Sequence, residues 1–185
     1  MQKEVILALD ISTSYVGWCL VDNLGTLVAA DAIDLKKMVD MFSKARVVHQ
    51  TFARLNNENL IKRIVVEENL QAFRPGFSSA KTICTLARFN GMVSLLANQA
   101  TEIVPEFVNV NHARKSIGLK IDRKSDIPTK EQILEWVKNH GMEKFSWPMR
   151  TMKSGPRKGL VISHERCYDI ADAFVVAKSC VIDGR

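Results

Sequence analysis

Val5-Ile6-Leu7-Ala8-Leu9 is apolar at every position and stops at Asp10. A strand with one wet face alternates, so an unbroken apolar run belongs to a strand covered on both sides, which constrains the chain to a sheet layered between helices. The acid that ends the run sits where the backbone leaves the sheet. Ile64-Val65-Val66 ends in the same way on Glu67. Asp169 and Asp172 stand three apart in Tyr168-Asp169-Ile170-Ala171-Asp172-Ala173-Phe174, a spacing that puts both on one helix face. One such acid is ordinarily a helix cap or a solvated charge. Four of them in one cleft would repel one another unless cations lay between them, which predicts bound divalent metal and a metal-dependent enzyme.

The remaining pattern is α/β. Val16 to Val21 and Thr26 to Ile33 are separated by the turn residues Asp22-Asn23-Leu24-Gly25, so three antiparallel strands open the fold. Helical spacing runs from about Leu35 to Leu60, with Met38, Met41, Phe42, Ala45, Val48, Phe52 and Leu55 on one face. Ser78 and Ser79 are placed to cap a helix through about Asn98, and a short strand is expected near Ile103 and Val104, ahead of Pro105. Helices follow from about Asn111 to Gly118, from Ile133 to Asn139 behind the capping box Thr129-Lys130-Glu131-Gln132, and from about Cys167 to Val181. Residues 141–164 read as a loop. This order predicts an α/β layer fold with a mixed sheet, in one domain over residues 1–185.

Charge narrows the partner. Lys and Arg number 26 against 20 Asp and Glu, a net +6, yet the predicted cleft is acidic, so the positive excess lies around it. A basic surface about a metal-loaded acidic cleft suits a polyanion hydrolysed at phosphorus. Cys19, Cys84, Cys167 and Cys180 form no CxxC pair and read as reduced core thiols; His49, His112, His140 and His164 lack zinc-ligand spacing, and His164 reads as incidental to the acids that follow it. No stretch approaches the ~20 apolar residues of a membrane span, and no signal-type segment precedes the first strand. The expectation is a soluble, cytoplasmic protein with no membrane partner.

Glu67 and Glu68 are adjacent, and adjacent strand side chains face opposite ways, so only one joins the cleft. Periodicity leaves both open, because Ile64 to Val66 are apolar on both faces.

Several segments resemble the RuvC-type Holliday junction resolvases of the RNase H-like fold, and their phage-encoded members more than the compact bacterial form. They are Leu7-Ala8-Leu9-Asp10 with Gly17-Trp18, Val65-Val66-Glu67, Ala87-Arg88-Phe89-Asn90-Gly91, Ala113-Arg114-Lys115-Ser116-Ile117-Gly118, Thr129-Lys130-Glu131-Gln132 and Asp169-Ile170-Ala171-Asp172-Ala173. The resemblance implies a five-stranded mixed sheet with helices on both faces and the first strand beside the glutamate strand. It implies that Asp10, Glu67, Asp169 and Asp172 are catalytic and hold Mg²⁺ or Mn²⁺, two ions per active site, and it favours Glu67 over Glu68. It also implies a homodimer that cuts four-way DNA junctions symmetrically, in the host cytoplasm if phage-encoded. The chain departs from the family in lacking a glycine soon after Asp10, and in a longer segment after Glu67.

Candidate DNA contacts fall in two basic groups, Arg114, Lys115 and Lys120 with Arg123 and Lys124, and Arg150, Lys153, Arg157 and Lys158; the resemblance adds Lys130. Phe73, with Phe77 as the alternative, is a candidate for stacking on bases opened at the junction centre, beside Arg74. Leu86, Phe89 and Val93, on a helix whose apolar width looks greater than one core contact covers, are the expected dimer interface. A sugar-kinase or actin-like ATPase would need phosphate-binding glycines near Asp10 and a second large domain, so no nucleotide cofactor is expected. A non-catalytic branched-DNA-binding module would leave four repelling acids unexplained. An RNA:DNA hybrid nuclease of the same fold stays open.

Overall fold

The computed structural model describes residues 3–68 and 79–184. Three antiparallel strands open the chain: β1 (Glu4–Ile11), β2 (Tyr15–Val21) and β3 (Leu27–Asp34). Helix α1 (Met41–Glu58) then returns the chain to β4 (Leu60–Glu67), which lies parallel to β1, and α2 (Ala80–Thr101) leads to β5 (Glu106–Val108), parallel to β4. The five-stranded mixed sheet has the order β3-β2-β1-β4-β5, so β1 and β4 are the inner neighbours. Then come α3 (Val110–Ser116), α4 (Thr129–Asn139), the ribbon of β6 (Met149–Thr151) and β7 (Val161–Ser163), and α5 (Arg166–Ile182).

The apolar run that dominates the sequence is the centre of the sheet. Val5, Leu7, Leu9 and Ile11 point into a core shared with Val48, Phe52 and Leu55 of α1 and Phe89, Val93 and Ala97 of α2. Ile6 and Ala8 point the other way, into a core made with α3, α4 and above all α5, whose Ile170, Ala171, Phe174, Val175 and Ala177 are buried. Both faces are thus covered, and β1 has no wet side on which to alternate.

Some boundaries differ from the sequence expectation. α1 begins only at Met41, where the Asp40 carboxylate accepts from the Phe42 and Ser43 amides; the apolar spacing ahead of it belongs to a turn. β5 starts after Pro105 instead of before it, a proline having no N–H for the ladder. The 141–164 stretch read as loop contains β6 and β7, three residues each and too short to show a period. At α4 the capping box does not form. Pro128 is the cap residue without a side-chain bond, and Gln132 instead accepts from the Asp122 amide and donates to the Asp122 and Ile127 carbonyls, stapling the 122–127 loop to the helix. Among the described residues no helix is long and apolar enough to cross a membrane. Cys19, Cys167 and Cys180 are buried free thiols, whereas Cys84 is exposed on α2.

Candidate active site

Strand alternation decides which acids meet. Asp10 follows Ile6 and Ala8 onto the α5 face of β1. On β4, Ile64 and Val66 pack toward α1 and α2 while Val65 packs toward α5, so Glu67 faces α5 and alternation directs Glu68 away. The parallel register pairs Ala8 with Val65 and Leu9 with Val66, which sets Glu67 beside Asp10 at the same end of the sheet. Helix α5 supplies Asp169 and Asp172 from its first turns. Its close seat depends on Gly17, the partner of Asp10 in the β1–β2 ladder: a Cβ there would lie 2.2 Å from the Asp169 carbonyl oxygen.

The four acids perturb one another. Burial pushes Asp10 well up, reinforced by the charges of Glu67, Asp172 and Asp169. Burial, then Asp172, pushes Glu67 up to about 8. Asp169 is raised by burial to about 6, and Asp172 is raised by burial against the pull of Arg114. Two cations oppose this. Arg114 Nη2 stands 3.3 Å from Asp172 Oδ1, both side chains being mostly buried, and its charge also reaches Glu67. The charge of Lys130 acts on Asp10, Asp169 and Asp172.

The donor set fits a hard divalent cation: it is all carboxylate oxygen, and Glu67 Oε2 is buried with no hydrogen-bond partner. Among the described residues, however, no three metal-ligating side chains close into a finished cage.

Glu67 ties the site to stability. In the folded metal-free protein it keeps its proton up to about pH 8, whereas its ordinary value is 4.5. Between those values the folded state binds more protons than the unfolded one, so this contribution is full below about 4.5 and is lost as pH rises toward 8. Thermal unfolding in EDTA is therefore expected to show a melting temperature that falls from pH 5 to pH 8, and a shallower fall for Glu67→Gln. Equal slopes in the two proteins would remove the linkage.

Other residues expected at the site divide. Lys115 and Lys120, with Arg123, line a cavity of about 420 Å³ beside Arg114, which is itself held on Asp172 and is not a free phosphate contact. Arg150 is on β6, and Lys153, Arg157 and Lys158 are exposed in the β6–β7 turn, where Arg157 lines a groove of about 760 Å³ against α4. Phe73, Arg74 and Phe77 lie outside the described residues. The interface expectation is corrected for two of its three residues: Phe89 and Val93 are fully buried in the chain's own core, so the apolar width of α2 is spent on the sheet. Leu86 is half-buried.

A brace at the start of α5 was not visible in the sequence. Tyr15 Oη donates to Glu165 Oε1 at 3.1 Å, Lys36 pairs with the same carboxylate and lies 4.9 Å over the Tyr15 ring, and the His164 ring meets Tyr15 edge-on at 6.2 Å. His164 thus belongs to the brace at the start of α5, the helix that carries Asp169. Residues 15, 36 and 165 lie too far apart in the chain for any spacing rule to join them.

No family model matches the sequence, and no curated protein matches it. Solved structures do match. RuvC of Thermus thermophilus superposes with a TM-score of 0.63 at 14% identity, over 98% of this chain and 95% of that one. The fold is RuvC-like. The same Thermus protein in complex with a Holliday junction substrate gives 0.62 at 14% identity and the same coverage, and the yeast mitochondrial Holliday junction resolvase gives 0.54 at 14% over 96% of this chain and 77% of that one. The topology shared with RuvC is what brings β1, β4 and α5 together.

Proposed function

We propose that this chain is a structure-selective endodeoxyribonuclease that resolves four-way and related branched DNA junctions by paired, divalent-metal-dependent phosphodiester hydrolysis. The observation that carries the reading is the set of four carboxylates, two at the ends of neighbouring strands and two on the helix packed against that face, all displaced upward in pKa, within a fold shared with two junction resolvases. Asp10, Glu67, Asp169 and Asp172 would hold Mg²⁺ or Mn²⁺, two ions per site. Bound there, the ions would lower the pKa of an attacking water and stabilise the leaving oxygen. The protein's own part is to fix Asp10 and Glu67 on neighbouring strands, to seat Asp169 and Asp172 beside them on α5 with Arg114 held on Asp172, and to present Lys130 toward a phosphate. Two such sites in a homodimer would give symmetric nicks.

The test is cleavage of a four-way junction, a flap, an RNA:DNA hybrid and linear duplex, with Mg²⁺, with Mn²⁺ and with EDTA. Junction cutting that needs metal and exceeds duplex cutting supports the reading. Preferential cutting of the hybrid would reassign the chain to the hybrid nucleases of this fold, and full cutting in EDTA would remove the metal mechanism.

Glu67 and Glu68 give an internal check. Glu67→Gln is expected to be inactive, and Glu68→Gln to keep most of its activity, because alternation turns position 68 away from α5. The opposite outcome in single-turnover assays would mean that the other face of β4 carries the chemistry.

A further inference from the structure

The cavity beside the acids has the make-up of an anion site. Its wall includes Asn111, Arg114, Lys115, Lys120, Arg123 and Thr129, and no carboxylate. Among the described residues Lys115, Lys120 and Arg123 make no ion pair. The backbone adds to the positive field. α4 opens at Thr129 without a side-chain cap, so its positive end borders the cavity. The opposing negative end of α3 is covered, since the carbonyls of Ala113, Arg114 and Lys115 already accept from the amides of Ile117, Leu119 and Gly118. The wall is also fixed in place: the three hydrogen bonds of Gln132, at 2.7–2.9 Å, hold the loop that carries Arg123 onto α4.

Arg114 belongs to this cavity and to the acid cluster at once, lining the first while its Nη2 touches Asp172. One guanidinium therefore separates a cationic pocket from four carboxylates. A nucleic-acid strand crossing the acids is repelled there and needs a compensating hold close by, one or two nucleotides along.

We propose that this pocket takes a single backbone phosphate of the strand that is cut, a near neighbour of the scissile phosphate, and so sets which phosphate lies over the acids; this rests on the nuclease reading above. Lys120 and Arg123 are its outer ligands, and Arg114 is the wall it shares with the acids. Diffuse basic patches pull on all phosphates alike, whereas a pocket singles one out.

The experiment is binding in EDTA of the full chain to a four-way junction in which each phosphate of one strand in turn is replaced by an uncharged methylphosphonate. For the native chain, one or two adjacent positions are expected to weaken binding about tenfold. The double variant Lys120→Gln, Arg123→Gln is expected to weaken binding to unmodified DNA by a similar factor and to be indifferent to methylphosphonate at those positions. Equal sensitivity of variant and native chain at every position would overturn the proposal. So would saturation of the native chain by inorganic phosphate at micromolar concentration, which would assign the pocket to a free anion. Failure of the nuclease reading is seen separately, as a native chain that leaves junctions uncut with Mg²⁺ or Mn²⁺, while the binding comparison still decides the pocket.

Discussion

Asp10→Asn and Asp172→Asn are expected to lower junction cleavage by at least about a thousandfold while junction binding stays equal or tightens. On the proposed metal mechanism each of these carboxylates would hold a catalytic ion; its loss forfeits several kcal/mol of transition-state stabilisation, and about 4 kcal/mol is already a thousandfold in rate. Binding moves the other way, because each substitution removes a negative charge that opposes the DNA backbone. The two variants should differ in degree. Asp172→Asn also removes the charge that holds Arg114 in its 3.3 Å pairing, so the guanidinium is held more weakly and is freer to meet phosphate, and the tightening should exceed that of Asp10→Asn. Gel-shift and single-turnover assays on one junction measure both quantities. Normal cleavage by either variant would separate these acids from the chemistry.

Gly17→Ala is the second large effect, and it touches no acid. The new methyl group would lie 2.2 Å from the carbonyl oxygen and 2.4 Å from the carbonyl carbon of Asp169, both backbone atoms that cannot rotate out of the way. α5 must lift from β2 or tilt. Overpacking of this kind costs about 1–3 kcal/mol of stability, and misplacing a reacting group by about 1 Å can cost a hundredfold in rate. The expected result is a folded protein with a lower melting temperature and a cleavage rate down by about a hundredfold. Gly91→Ala on the exposed side of α2, where nothing lies within 4 Å, should instead gain up to about 1 kcal/mol of helix stability. A harmless Gly17→Ala would show that α5 has room to spare above the sheet.

The parts of the fold that were legible in the sequence are those whose pattern has one physical cause. β1 follows from an unbroken apolar run, β2 and β3 from runs split by a turn, and the long helices with the pair Asp169 and Asp172 from helical spacing. Glu67 against Glu68 was not legible by alternation, since both core faces of β4 are apolar; the split of Val65 from Ile64 and Val66 between two cores decides it. Phe89 and Val93 have the same apolar spacing whether they meet a partner or the sheet beneath them. Thr129 to Gln132 has the letters of a capping box, but Gln132 finds three backbone partners in a loop that sequence spacing does not reveal. The Arg114–Asp172 pair joins residues 58 apart in the chain, and only the docking of α3 on α5 makes it.

α5 has two duties that cannot be separated: it carries half of the acids, and it supplies the largest share of the core on one face of the sheet. The ribosome makes it after every strand of the main sheet. A nascent or truncated chain ending before residue 166 lacks Asp169 and Asp172 and also leaves Ala8, Cys19 and Val65 uncovered, so it is both chemically silent and a target for proteolysis. Errors of synthesis in this protein should therefore yield degraded fragments, not folded chains that carry half of the acid cluster.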